Sequence, residues 1–303
     1  MKQLTLICII SLAAVLSLFF CGPALGDVLF IHEYDLDEYL MGKQKTLVVS
    51  AYKDQQLYID KNIRYTGSWT KRFFGKEKEE RKTVHILLDR DMVRELDWYR
   101  SRITNYPLEK LSDVDALKES AKLYQEADDF LAKRYSVKKP VFSLTIISDD
   151  ETVQGYTCTH VKTELTLETE DIKKDAKSLT IVIQDLWVST EVPGFSQYQN
   201  FHETLAKRMG LQAQRLGPLN YILQYWQGSL SAIKDKLDRI KGVPVKSTLS
   251  VKGSYIENLS SDTPEQSDLE IKKETMVLKE IRQGKFDLDL FMPDTPFGEK
   301  TVR

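Results

Sequence analysis

From Asp27 to Pro107, apolar and polar residues alternate in short runs separated by polar turns. This is the two-residue period of strands, whose successive side chains point to opposite faces. Val28-Leu29-Phe30-Ile31, Thr46 to Tyr52, Gln56 to Ile59 and Thr83 to Leu88 are the clearest predicted strands. The stretch from Arg72 to Lys82 is dominated by charge, shows no alternation and reads as a solvated loop. Between Ser112 and Tyr135 the period changes to three or four through Val114, Leu117, Ala121, Tyr124 and Leu131. Ser112-x-x-Asp115 resembles a capping box, so an amphipathic helix is expected there.

After Pro140 the two-residue period returns. Phe142, Leu144 and Ile146 alternate, then Val161, Leu165 and Leu167, then Leu179, Ile181, Ile183 and Trp187, with turns expected at Asp149-Asp150 and around Asp171 to Lys177. Ser196-x-x-Gln199 starts a helix to Met209, with Gly210 as its stop. Gly217-Pro218 opens a third helix to about Lys241, whose apolar stripe Leu219, Ile222, Leu223, Trp226, Leu230, Ile233, Leu237 and Ile240 must lie on something. Residues 243–251 and 271–281 read as final strands around a polar loop. The sum is an α+β chain of about eleven strands and about three helices, with no internal repeat and no interdomain linker. Residues 27–303 are therefore expected to form a single domain.

The first 26 residues differ from the rest. One positive charge in Met1-Lys2-Gln3 precedes an almost unbroken apolar run from Leu4 to Cys21, and Pro23-Ala24-Leu25-Gly26 follows with small residues at Ala24 and Gly26. Residues 1–26 are expected to be a secretory signal peptide cleaved near Gly26, which makes the mature chain periplasmic or secreted. No other apolar run is long enough to span a bilayer, so no transmembrane span is expected in the mature chain. Cys8 and Cys21 leave with the signal, and Cys158 then has no intramolecular partner and reads as a small buried hydrophobe.

Charge and chemistry narrow the function classes. With 43 basic against 45 acidic side chains, a nucleic-acid binder relying on net positive charge is disfavoured. His32, His85, His160 and His202 are scattered, with none in a metal-ligand spacing, and no nucleophile elbow, P-loop or Rossmann glycine set is present. No metal and no cofactor are expected. Cys158 and His160 lie two apart on one strand face, which could set a thiol beside an imidazole. That face continues through Lys162, Glu164 and Glu168, a solvent-facing pattern rather than a closed active site, so the chain reads as non-enzymatic.

Three groups of segments resemble a known family. His85-Ile86-Leu87-Leu88-Asp89-Arg90 through Glu95-Leu96-Asp97 to Ile103-Thr104-Asn105-Tyr106 is similar to hairpins of a family of secreted bacterial proteins of unknown function. Gly155-Tyr156-Thr157-Cys158 with Asp185-Leu186-Trp187-Val188 and Val192-Pro193-Gly194-Phe195 forms the second group, and Gly242-Val243-Pro244-Val245-Lys246 with Leu290-Phe291-Met292-Pro293 the third. The resemblance implies the fold of the LolA and LppX lipoprotein-carrier group: a strongly curved antiparallel β half-barrel whose concave apolar face is closed by helices. It carries over no catalytic or ligand residue, because the lipid contacts of that group are generic apolar side chains.

On such a fold, Trp226, Ile222, Leu223 and Leu230 are expected to roof the space that Trp187 and Ile183 floor, giving a site for a lipid, acyl chain or lipoprotein. The competing expectation is a cell-envelope protein-interaction scaffold with a filled core and no ligand, whose partner is another envelope protein.

Overall fold

The computed structural model describes residues 27–39, 42–67, 78–112, 134–209, 219, 237, 240–259, 265–287, 291–293 and 297–301. The expected signal peptide, Gly210, and almost all of the expected helices over 112–135 and 218–241 lie outside the described residues.

Among the described residues, one thirteen-stranded sheet organises the chain. Its first half is a meander: β1 (Val28–Glu38), β2 (Gly42–Lys53), β3 (Gln56–Tyr65), β4 (Lys78–Leu87), β5 (Met92–Asp97) and β6 (Arg102–Pro107). The second half comprises β7 (Tyr135–Val137), β8 (Val141–Val153), β9 (Tyr156–Asp171), β10 (Ala176–Ser189), β11 (Val243–Glu257) and β12 (Glu265–Gln283). The halves join where β1 pairs β12, giving the order β13-β6-β5-β4-β3-β2-β1-β12-β11-β10-β9-β7, with β8 also on β9. Twelve strands pair antiparallel, and β13 (Gly298–Thr301) adds to β6 in parallel. Among the described residues the one α-helix is α1 (Phe195–Met209), close to its expected span, and no helix is long and apolar enough to cross a membrane.

Local chemistry explains the deviations from the sequence pattern. The charged run becomes strand from Lys78 onward because β3 offers Lys61 to Tyr65 as a complete ladder partner. The charges are also paired, with Arg81 bonded to Asp60 at 2.9 Å and its guanidinium 3.7 Å over the Trp98 ring. Asp149-Asp150, expected as a turn, is instead an irregular stretch inside β8, where the register against β9 shifts on either side of Ser148. The reversal comes at Gln154-Gly155, both with positive φ (53° and 84°), the backbone that a tight two-residue hairpin requires. Around Asp171 to Lys177 the chain reverses as expected, between β9 and β10.

The sheet is strongly bent and open. From β4 to β10 there are six strand intervals, which in a flat sheet would span roughly 29 Å. One cavity of about 510 Å³ nevertheless touches Lys82 of β4 and Gln184 of β10, so the sheet wraps around it in the manner of a half-barrel.

Candidate ligand-binding trough

The cavity follows the alternation of the strands. On β1 the residues Phe30, His32, Tyr34 and Leu36 face it, and their ladder partners Ser50, Val48, Thr46 and Gln44 continue the same face on β2. Leu57, Ile59, Lys61 and Ile63 extend it onto β3, while Leu249 and Met276 line the far wall. Tyr198 and His202, one helical turn apart on α1, close one end.

α1 is held there by its apolar side. Phe201 and Leu205 are buried in the cluster that contains Phe30, Tyr52, Leu57 and Ile86. The rings interlock: Tyr52 stands 5.7 Å from Phe30 in an edge-on pair, 5.6 Å from Phe201 and 5.5 Å from Tyr198. An ion pair between Arg208 and Asp91 ties the C-terminal end of α1 to the turn before β5.

The histidines and phenols of the trough are neutral, and the two histidines are bonded. Tyr52 Oη and His202 Nε2 share a hydrogen bond of 3.1 Å, and His32 Nε2 donates to the Pro244 carbonyl at 3.0 Å. Burial lowers the pKa of His32 below its ordinary value, outweighing that bond, and pushes His202 down to about 4. Burial, then the Glu274 charge, raises Tyr34 to about 12, and burial lifts Tyr52 and Tyr198 as well. At neutral pH the described lining is therefore mostly uncharged imidazole, phenol, hydroxyl, amide and hydrocarbon, with charges among the described residues at Lys61, Lys82 and Glu274.

A pH dependence follows with a definite sign. An unfolded histidine titrates near 6.5, whereas folded His202 and His85 titrate at about 4, in both cases first because burial disfavours the cation. Between those values the unfolded chain binds more protons. The stabilisation is complete above pH 6.5 and is lost as pH falls toward 4. Urea denaturation across pH 7.5 to 4 is expected to show midpoints falling through this window, with a shallower fall in His202→Phe; an equal slope in the variant would contradict the assignment.

Of the six residues expected at the ligand, Ile222, Leu223, Trp226 and Leu230 lie outside the described residues. Ile183 and Trp187 alternate with Gln184 and Leu186 on β10, and it is Gln184 that lines the trough. Trp187 is not among the trough-lining residues; its ring is stacked on His160 at 4.2 Å with the Lys246 ammonium 4.6 Å over it, and it belongs to the buried cluster that also holds Phe30, Tyr52 and Cys158. Leu219, Leu237 and Ile240, the described positions of the third predicted helix stripe, pack on Leu144, Val161, Leu186 and Val188. The stripe residues expected to face Ile183 and Trp187 lie outside the described residues, and the described stripe positions pack beside Leu186 and Val188. The stripe meets the even-numbered face of β10, because the two faces of a strand cannot both look inward.

Cys158 is completely buried, and burial pushes its thiol pKa up, away from the reactive thiolate. His160 faces carboxylates instead, Asp185 at 2.9 Å and Glu151 at 3.1 Å. Among the described residues no cluster of His, Cys, Asp and Glu is arranged to hold a metal ion.

A second cavity, about 1220 Å³, opens beyond β4 and shares Lys82 with the trough. It is bordered by Lys78 to Val84, Glu95 to Arg100, Arg102 and Thr104, where charged side chains are interleaved with Val84, Leu96, Trp98 and Tyr99. The residues that the sequence did not single out as a site are His32, Tyr34, Tyr52, Tyr198 and His202. The available signals were the alternation Phe30, His32, Tyr34, Leu36 and the four-residue spacing of Tyr198 and His202.

In comparisons with known proteins, no family model matches the chain and no curated protein matches it.

Proposed function

We propose that this protein is an exported, non-enzymatic binding protein of the cell envelope that holds an apolar ligand, a lipid or acyl chain, in the trough beneath α1. The observation that carries this reading is the cavity of about 510 Å³, lined by Phe30, Leu36, Val48, Leu57, Ile59 and Met276 among uncharged polar side chains, with histidines that are neutral and internally bonded. Its volume falls within the roughly 300–1,000 Å³ of small-molecule sites. At about 30 Å³ for each water-sized group, it accommodates about seventeen such groups, the scale of one acyl chain. Each part of that chain removed from water contributes about 25 cal/mol per Å². Export rests on the leader-like residues 1–26, and the carrier role agrees with the lipoprotein-carrier group that the hairpin segments resemble.

The test is saturable binding of a lipophilic fluorescent probe, whose emission rises on leaving water. Wild-type protein is expected to bind one equivalent. Ser50→Trp, which projects an indole from β2 into the cavity, should weaken binding at least about tenfold while leaving the fold intact by circular dichroism. Unsaturable binding, or equal affinity in Ser50→Trp, would overturn the proposal and favour the protein-interaction scaffold.

A further inference from the structure

Resting on the trough reading, we propose that the ligand is a single-chain amphiphile with an anionic head, whose chain lies on the apolar floor and whose head sits between Lys61 and Lys82.

The two lysines are directly paired across β3 and β4 and both line the trough. Like charges placed opposite one another on a sheet repel, so the arrangement costs stability in the empty protein. The nearby carboxylates relieve it only in part. Glu274 on the far wall is paired with Lys272 at 3.3 Å, and Glu80, 3.8 Å from Lys82, is shared with Lys78. Asp97, the ladder partner of Lys82 on β5, is engaged by the backbone amide and guanidinium of Arg100. Among the described residues no carboxylate lies within ion-pair distance of Lys61.

Lys61 is also in an environment that asks for an anion. Lys61 lines the trough yet is exposed by area; partial desolvation by the surrounding walls, then repulsion from Lys82, lowers its pKa against the weaker pull of Glu274. An anion between the two ammonium groups removes the repulsion and replaces the lost hydration. On the adjoining strand positions, Ile59 and Ile63 flank Lys61 on the same face, so a head at Lys61 leads directly onto hydrocarbon. The far end of the path is the aromatic end at Tyr198 and His202, whose described side chains are uncharged. The geometry thus orders the ligand, with its charged end at the rim and its chain end beneath α1.

The experiment compares palmitate with hexadecanol, which keeps the chain and replaces the carboxylate, by isothermal titration of the purified protein at pH 8 and low salt. Palmitate is expected to bind at least about tenfold more tightly than the alcohol, the ratio that a charge-assisted contact supplies. That preference should shrink in high salt. In Lys61→Met the preference should vanish while hexadecanol binds as in wild type, and Lys61→Arg should retain it. Lys273→Met, on the opposite face of β12, removes the same charge and should change nothing.

Equal affinity for palmitate and hexadecanol would overturn the head assignment while leaving the trough reading in place. So would equal weakening of both ligands by Lys61→Met. Competition by acetate at concentrations comparable to palmitate would mark a simple anion site and overturn the amphiphile. Failure of both long-chain ligands to bind would instead remove the trough reading itself.

Discussion

Gly242→Ala is expected to lower stability by about 4 kcal/mol, among the largest effects of any single substitution in this chain. Two costs combine. Gly242 adopts φ of +134°, a backbone conformation nearly closed to residues with a side chain, which costs about 1–3 kcal/mol. A methyl group there would also lie 2.6 Å from the Ser189 amide nitrogen and 2.7 Å from its carbonyl carbon. These are backbone atoms of β10, which cannot rotate away, and such overpacking costs about 1–3 kcal/mol more. The site matters because Ser189 pairs with Val243 where β11 enters the sheet, next to the irregularity at Trp187/Val188. Gly155→Ala is the internal control. Gly155 has φ of +84°, but nothing lies within 4 Å of the position that a methyl group would take there, so only the strain of about 1–2 kcal/mol applies. Urea denaturation of the two variants should separate them clearly, and equal midpoints would contradict the close approach at Gly242.

Phe30→Ala should cost about 3–5 kcal/mol and should loosen α1 more than the rest of the sheet. Phe30 is 1% exposed and is the point where β1, β2 and α1 meet. Its ring contacts Tyr52 and, at 6.3 Å in an edge-on pair, Tyr198 of α1. Truncation leaves an apolar void beside the trough and removes the surface on which Tyr198 rests. Hydrogen exchange should therefore show faster opening of α1 amides, while β9 and β10 keep most of their protection. Tyr99→Ala, at a residue 92% exposed, should stay within about 0.5 kcal/mol of wild type. Uniform loss of protection across the sheet in Phe30→Ala would mean that the helix is not seated through this ring.

The strands were legible as short apolar or alternating runs bounded by polar turns. Val28 to Ile31, of which Val28, Leu29 and Phe30 are all buried, and Thr46 to Tyr52 are such runs, and both lie in strands; the turn between β9 and β10 was legible too, from its run of polar residues. Where alternation fails, the sequence loses direction. In β10, Val182, Gln184, Leu186, Trp187 and Val188 are all buried, so periodicity could not say which face of Trp187 and Ile183 looks inward. A one-residue change of face reverses every side chain, so a strand buried on both faces leaves the floor of a site undetermined by its sequence pattern. The beginning of β4 was hidden for a different reason. Arg81 and Glu79 are matched by the cross-strand partners Asp60 and Arg64, and such pairing depends on which strand lies alongside.

The trough was the least legible feature. Its aromatic end joins Tyr52 to His202, which are 150 residues apart in sequence, through a helix lying across the sheet. Seen singly, each histidine looks isolated. Once the meander of β1 to β3 is wrapped against β11 and β12, His32 and His202 line the same cavity, and the absence of metal spacing becomes irrelevant to their role as neutral polar lining.

The most direct measurement is native mass spectrometry of the protein after export by a bacterial host and purification without detergent. The trough reading predicts a reproducible adduct of the mass of a single-chain lipid, at one per protein, that is lost or strongly reduced in Ser50→Trp. A clean apo mass that gains nothing on addition of palmitate or phospholipid would contradict it.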